Sequence, residues 1–441
     1  MTYFVTGATG FIGRYLVQSL LQKGKGTIYV LVRPKSIGKL DELREFWGKD
    51  SLKRVVPIKG DLGLPKLGVA RGDLTKLKGK VKHFYHLGAV YDIEASAEAM
   101  EKANITGTRG ALEFAEAVNA GCFHLVSSIA AAGLYRGTFT EDMFEEAEEL
   151  EHPYHRTKHD SEAMVRANGR IPFRVYRPGA VLGHSQTGFI DKIDGPYYFF
   201  KALQKLRESW PRSIPLVGIE GGYINVVPVD FVVDALVHLS HQPKLDGRCF
   251  HLTDPKARRV GEVLNVFARA AHAPEMAFRL DPKVFAMVPE PVTQSVQRSK
   301  PIQNVFNQLL RDLQVPRSVL QFVNYPTRFD STATQKILDK AKIRVPALED
   351  YAWRLWDYWE RHLDPDLSID RSLKGAVKGK VVMITGGSSG IGEAAAIRIA
   401  EAGGKVIVVA RDEEKLAEVR KKITDAGGFV KTYSCDITEY A

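Results

Sequence analysis

Short apolar runs alternate with amphipathic stretches through the first part of the chain. Tyr3–Thr6, Thr27–Val32, Val55–Lys59, His83–Leu87 and Phe123–Ser127 are strand-like. They are almost continuously apolar, as strands covered on both faces are. Gly13–Gln22, Leu40–Glu45 and Asn104–Ala120 carry helical spacing between them. Strand and helix in strict alternation predict an α/β fold with a doubly wound parallel sheet. Pro172–Tyr176 and Cys249–Leu252 extend that sheet. The stretch from about 183 to 349 is less regular. Its helix-like pieces, Tyr197–Arg207, Gly261–Ala270 and Ile302–Leu313, are broken by prolines and predict a helical substrate lobe. Phe285–Val288 and Val319–Val323 are apolar enough to line an acyl pocket or simply to fill a core.

Residues Tyr351–Leu363 read as an aromatic helix. Tyr351, Leu355, Tyr358 and His362 share one stripe, and Trp353, Trp356, Trp359 and Leu363 an adjacent one. So broad an apolar arc predicts burial against more than one surface, as a clamp between domains, with shallow membrane contact as the weaker alternative. Asp364-Pro365-Asp366 ends the helix. A polar linker, 366–379, separates a first domain, 1–365, from a second beginning at Lys380. There Val381–Thr385, Ile391–Ala402, Lys405–Ala410, Asp412–Asp425 and Phe429–Cys435 repeat the strand–helix alternation. The run reaches Ala441 after half of such a domain, so the expectation is a truncated second domain whose catalytic residues lie beyond it.

Each half carries a glycine-rich turn between a strand and a helix. The first is Thr6-Gly7-Ala8-Thr9-Gly10-Phe11-Ile12-Gly13, and the second Gly386-Gly387-Ser388-Ser389-Gly390-Ile391-Gly392. The spacing fits a dinucleotide site: one glycine for the tight turn, one for close approach to a pyrophosphate, one for helix–strand packing. Free N–H groups at the helix N-terminus then face the phosphates. Both halves therefore read as Rossmann-type, the second partial. After the second strand an NAD enzyme usually places an acidic residue on the ribose 2′-hydroxyl. Here that place holds Arg33, with Lys35 nearby, and Arg411 repeats the device. An arginine fork suits a 2′-phosphate, so NADPH is the expected cofactor.

Tyr154 and Lys158 are four apart, hence on one helix face. A neighbouring ammonium favours a phenolate, so Lys158 is expected to lower the Tyr154 pKa and equip it for proton exchange with a carbonyl oxygen. Ser128 follows a strand at the end where ligands bind and can join Tyr154 on that oxygen, with Ser127 the fallback if the register shifts.

Composition narrows the classes. The 441 residues are 44% hydrophobic and 26% charged, ordinary for globular protein, and long enough for two or three cores. A net charge of +10 favours anionic ligands, such as NADPH, a coenzyme A thioester or an acidic carrier. The run Lys201–Arg207 with Arg212 is a candidate for docking their phosphates, although a solvated helix face is the commoner outcome. No long basic block points to nucleic acid. Cys122, Cys249 and Cys435 have no metal-ligand spacing, and their scarcity fits a reducing cytoplasm. The N-terminus has no signal-peptide pattern, and no apolar run is long enough to span a membrane.

Taken together, these residues resemble the extended short-chain dehydrogenase/reductase family from Met1 to about Asp254. The resemblance makes Ser128, Tyr154 and Lys158 the catalytic set. It places Asp61 and Leu62 at the adenine, and Leu87, Gly88 and Ala89 (after His86) beside the ribose. Asn104 opens the next helix, and Tyr176, Arg177, Pro178 and Gly179 form the strand beside the nicotinamide. Within that family the chain is similar to fatty acyl reductases and thioester reductase domains, through these motifs and Asn225–Ala235. In that last segment Pro228 sets a turn and Asp230 caps a helix. The second half resembles classical short-chain reductases, particularly acyl-CoA reductases that yield aldehydes, and Gly386, Ser388, Ser389, Gly390, Ile391, Gly392, Arg411 and Asp436 become its cofactor contacts. The pair resembles the bacterial two-domain, alcohol-forming fatty acyl-CoA reductases. That implies a cytoplasmic enzyme, oligomeric or not, whose first domain reduces long-chain aldehyde to alcohol and whose second makes the aldehyde from an acyl thioester. The alternatives are thioester reduction by the first domain, a sugar-nucleotide enzyme, and a non-catalytic NADPH-binding regulator.

Overall fold

A computed structural model describes residues 1–89, 95–210, 216–280, 325–368, 370 and 372–439. Its centre is a parallel seven-stranded sheet of β1 (Tyr3–Thr6), β2 (Ile28–Val32), β3 (Val55–Lys59), β4 (His83–His86), β5 (Cys122–Val126), β6 (Phe173–Pro178) and β7 (Cys249–Leu252). The spatial order is β7-β6-β5-β4-β1-β2-β3. Helices α1 (Phe11–Lys23), α2 (Gly107–Ala117), α3 (Pro153–Ala167) and α4 (Val229–His241) flank it. Strand alternation divides the core in two. Val5, Val30, Tyr85 and Phe250 face Leu16 and Leu20 of α1 and Leu236 of α4. Phe4, Phe84 and Phe123 face Phe114 of α2 and Val165 of α3. Those three sheet phenylalanines lie in register, with ring centroids 5.0 and 5.1 Å apart. Strand order reverses between β1 and β4, which opens a crevice at their carboxyl ends.

The structure divides into Met1–Glu360 and Arg361–Ala441. Within the first unit the lobe contributes helix Phe200–Ser209 and α5 (Val260–Ala270), whose first turn is closed by Glu262 accepting the Arg259 N–H at 2.8 Å. The aromatic helix is α6 (Leu348–His362). Leu348, Tyr351, Ala352, Leu355, Trp356 and Trp359 are its buried side, a single stripe at 3- and 4-residue steps. Trp353 faces solvent, contrary to the expected second stripe, because burial comes from one direction only. That direction is the lobe of the same unit. Phe200 packs tilted on Trp356 and edge-on to Trp359, with ring centroids 5.1 and 5.6 Å apart, and Leu355 closes on Gly183. Within the first unit the helix is a brace. The stretches Phe285–Val288, Ile302–Leu313 and Val319–Val323, and Arg212, lie outside the described residues.

The second unit is a three-stranded parallel sheet in sequential order, β8 (Val381–Thr385), β9 (Lys405–Ala410) and β10 (Phe429–Ser434), with α7 (Gly390–Glu401) and α8 (Glu413–Asp425). Ala396, Ala400, Val406, Val408, Leu416, Val419 and Ile423 make its core. Val381, Met383, Phe429 and Tyr433 are exposed. Its contact boundary falls before the expected linker, and Leu373–Val377 of that linker forms a short helix capped by Ser372. Cys122 and Cys249 are buried and Cys435 is exposed. No helix among the described residues is long and apolar enough to cross a membrane.

The first unit gathers histidines, His124 buried and His83 and His241 half-buried, at the end of the sheet where β1 and β4 begin. Nδ1 of His83 meets Nε2 of His124 at 2.9 Å, His124 Nδ1 meets the Tyr176 hydroxyl at 3.0 Å, and His241 Nε2 meets the Tyr3 hydroxyl at 3.0 Å. Burial, with help from neighbouring imidazoles and the Arg174 guanidinium, pushes His83 down to about 4 and lowers His124 and His241. An unfolded histidine binds its proton near pH 6.5, so the unfolded state gains protons first and stability falls as pH drops from 6.5 towards 4. For His83 alone the loss at pH 5 is roughly 2 kcal/mol. Thermal melts at pH 7 and pH 5 should differ strongly, and His83→Gln should shrink the difference; an unchanged difference would remove His83 from the effect.

Candidate functional site

The crevice between β1 and β4 is shaped by the absence of side chains. Gly7 has φ +73°, and a Cβ there would stand 2.8 Å from the Gly88 nitrogen. A Cβ on Gly13 would stand 2.0 Å from the Gly7 carbonyl oxygen. The turn therefore lets α1 begin directly against the sheet, with its first N–H groups unpaired within the helix and facing outward. A cavity of about 460 Å³ starts there. Gly7, Gly10, Phe11, Ile12, Gly13, Leu87, Ala89, Pro178 and Gly179 line it, with Ser128, Tyr154 and Lys158, and the lobe adds the apolar Phe199, Val260, Val263 and Leu264 and the charged Asp191, Lys192 and Asp194.

Other expected contacts lie off this cavity. Thr6 and Gly88 sit behind the turn, hydrogen-bonded to each other, and Thr9 does not line it. Arg33 and Lys35 are exposed just past β2. Asp61 closes its own turn by accepting the Gly63 N–H at 2.8 Å, and Leu62 packs on Gly88. Asn104 is buried against Thr157. Tyr176 and Arg177 are wholly buried, because both faces of β6 are covered; neither side chain reaches the cavity, which begins at Pro178.

The catalytic candidates converge from two elements. Strand β5 delivers Ser128, whose hydroxyl oxygen accepts the Ala130 N–H at 3.1 Å and hydrogen-bonds the Tyr154 phenol. Helix α3 begins at Pro153, with the His152 ring accepting the Tyr154 N–H at 3.1 Å, and so fixes Tyr154 and Lys158 one turn apart. The expected lowering of the phenol pKa is overturned. Burial raises it, the Asp194 carboxylate adds to that, and the Ser128 bond opposes it only partly. Burial thus favours the protonated phenol of Tyr154. Burial in turn pulls Lys158 down to about 8, against the Glu162 carboxylate, which favours the ammonium.

Glu162 is the residue that the sequence reading missed. It lies one turn beyond Lys158 and is completely buried. Its carboxylate accepts from Arg177 Nη2 at 2.6 Å and Nε at 3.0 Å, from Arg166 Nε at 2.8 Å and from the Ser127 hydroxyl at 3.1 Å. Burial alone would raise its pKa, but the two guanidiniums outweigh that and lower it. Ser127 therefore belongs to the support and Ser128 to the cavity. The missed signal was Arg177 in a strand covered on both faces, which demands a buried counter-charge. Two further readings change. Asp230 does not cap α4 but binds the Ser185 N–H and hydroxyl at 2.9 and 2.5 Å. In the basic run, Lys201 is buried against Gln204 at 2.5 Å and Arg207 is paired with Glu360 at 2.5 Å, so neither is a free docking cation.

The second unit repeats the turn. Gly386 and Gly390 have φ of +71° and +58°, and a Cβ on Gly392 would stand 2.4 Å from the Gly386 carbonyl oxygen. Ser389 precedes α7 without a side-chain cap, Ser388 and Ile391 flank the same turn, and Ile391 is exposed. Arg411 faces Asp436 at 3.7 Å, so its guanidinium already has a carboxylate neighbour.

Glu162→Gln should have two effects. Leaving Arg177 buried without its counter-charge should cost about 3–5 kcal/mol of stability. Removing the carboxylate that favours the Lys158 ammonium should move the alkaline limb of the pH–rate profile to lower pH; a limb that stays in place would dissociate Glu162 from Lys158.

Comparison with known proteins agrees with this geometry. Residues 380–441 match the short chain dehydrogenase family. A linear gramicidin synthase of Brevibacillus parabrevis is 32% identical over 268 residues, 57% of this chain and 5% of that one. Glycine betaine reductase ATRR of Emericella nidulans is 26% identical over 468 residues, 99% of this chain and 35% of that one, so both units align to a single relative. The chain thus spans well under two thirds of these relatives. Among solved structures, the terminal R domain of the myxalamid PKS-NRPS biosynthetic pathway is 26% identical with a TM-score of 0.65, covering 82% of this chain and 90% of that one. Residues 5–236 match the male sterility protein family. The chain belongs to that family, and its first unit has the Rossmann-like fold of the extended short-chain dehydrogenase type.

Proposed function

We propose that the first unit uses NADPH to reduce a carbonyl at the end of an aliphatic chain, a long-chain aldehyde to its alcohol. The carrying observation is the continuity of one cavity. The glycine turn, Ser128, Tyr154 and Lys158 line it, and the lobe adds Phe199, Val260, Val263 and Leu264. Asp191, Lys192 and Asp194 also line the cavity, but along its apolar stretch a charged or heavily hydroxylated substrate would leave polar groups unpaired against Phe199, Val260, Val263 and Leu264. An acyl chain would not.

The cofactor, when bound, supplies the hydride. Gly7, Gly10 and Gly13 hold its pyrophosphate, and the exposed Arg33 and Lys35 receive the 2′-phosphate. Ser128 and Tyr154 orient the carbonyl oxygen through their hydroxyls. As charge develops on that oxygen, neutral Tyr154 donates its proton, and the Lys158 ammonium stabilises the phenolate left behind. The second unit carries a second glycine turn and supports a second NADPH site, in keeping with two hydride deliveries between thioester and alcohol.

A second reading has its own support. The myxalamid structure is an R domain of a PKS-NRPS pathway, and the gramicidin relative is a synthase. By that likeness the first unit would accept an acyl thioester on coenzyme A or a carrier protein. NADPH oxidation with a long-chain aldehyde and with its acyl-CoA, run separately, decides between them. Aldehyde turnover alone is expected, acyl-CoA turnover would establish the second reading, and Tyr154→Phe should lower either rate at least about 100-fold. An unchanged rate would remove Tyr154 from the chemistry. Arg33→Glu should raise the KM for NADPH by about 10-fold or more and leave NADH little affected. Equal effects on both cofactors would reject the 2′-phosphate assignment.

A further inference from the structure

Behind the glycine turn runs a row of buried polar groups that hydride transfer does not use. The Gly88 N–H donates to Thr6 Oγ1 at 3.2 Å. Thr6 Oγ1 lies 2.8 Å from His86 Nδ1, and His86 Nε2 lies 3.1 Å from Thr108 Oγ1. The Thr108 hydroxyl donates to the Asn104 carbonyl at 2.6 Å. Asn104 Nδ2 donates to Thr157 Oγ1 at 3.1 Å, and the Thr157 hydroxyl donates to the Tyr154 carbonyl at 3.3 Å. Thr6, His86, Asn104, Thr108 and Thr157 are all buried. The row begins at Gly88, the residue against which Gly7 closes, and ends at the backbone of the catalytic tyrosine.

The donors fix one proton arrangement. Thr108 has a single hydroxyl proton, and it goes to Asn104. Towards His86 it can only accept, so Nε2 carries the imidazole proton. Nδ1 is then the acceptor for the Thr6 hydroxyl, whose lone pairs remain for Gly88. A second proton on the ring would leave the Thr6 hydroxyl without its acceptor. Burial, aided by the Lys158 ammonium, agrees with this by holding His86 down to about 3.

We propose that His86 is a positioning residue that joins the dinucleotide turn to the catalytic helix, its Nδ1 fixing the turn and its Nε2 fixing the segment that carries Tyr154. The kinetic part of its test rests on the reductase reading above; the structural part does not. Each ring nitrogen has its own mimic. Asparagine places an amide oxygen near the Nδ1 position, and glutamine an amide nitrogen near the Nε2 position. His86→Asn keeps the turn and frees the helix: kcat should fall about 10-fold with NADPH affinity within about twofold. His86→Gln keeps the helix and frees the turn: NADPH affinity, read by cofactor fluorescence, should weaken about 10-fold with kcat at saturation within about twofold. Amide exchange, which needs no substrate, should rise over Pro153–Ala167 in the first variant and over Gly7–Gly13 in the second.

Equal losses of kcat and affinity in both variants, no loss in either, or a uniform rise in exchange would overturn the proposal and leave His86 a packing residue. A parent chain that turns over neither aldehyde nor thioester would overturn the reductase reading instead, and the exchange patterns would still decide the relay. If a His86 variant does not fold, Thr108→Val cuts the helix side and Thr6→Val the turn side, with the same split expected.

Discussion

A buried carboxylate holds together the elements that carry Ser128 and Tyr154. Glu162 receives three guanidinium bonds and one hydroxyl bond in a place with no exposure to water. Burying so many charges is costly, and mutual attraction repays it only when the geometry is good. That demand ties helix α3 to strand β6 through Arg177 and to the end of β5 through Ser127. Ser128 and Tyr154 come from those two elements, so their meeting is a by-product of the ion pair beneath them. Aromatic faces complete the burial: the Arg177 guanidinium stands 5.3 Å from the Phe139 ring and that of Arg166 4.7 Å from Phe144.

The glycine turn imposes the second constraint, and it acts by exclusion. Its close approaches leave no room for a single carbon at Gly7 or Gly13. The close approach recurs at Gly392 and the positive φ at Gly386, although the surrounding sheet has only three described strands. A local turn thus forms from its own sequence and its two flanking elements. The catalytic set needs more, because Ser128, Tyr154 and Glu162 are brought together by distant pairings.

That difference explains what the sequence made legible. Strands β1 and β7 begin and end where the apolar runs do, since a parallel strand buried at every position is marked at every position, and β3, β8 and β9 share those bounds with less burial. The glycine turns and the Tyr154–Lys158 pair were visible for the same local reason. Glu162 was not, because its partner lies on another element and nothing in the spacing announces it. Arg177 read as a ligand contact for want of that partner. The tyrosine pKa was misjudged because sequence spacing gives the neighbour but not the burial, and burial is the larger influence. In the aromatic helix the stripe was visible, but not that one side alone would find a surface.

The brace helix bears on how the first unit could be excised as a module. The family match ends at residue 236, yet the seventh strand lies at Cys249–Leu252 and the brace at Leu348–His362. A cut at the end of the match would strip Trp356 and Trp359 from Phe200 and leave Tyr176 without Phe250, its stacking partner at 5.5 Å. The recognisable segment and the foldable segment are therefore different lengths of chain. Any excision of the first unit has to follow the tryptophans rather than the motif.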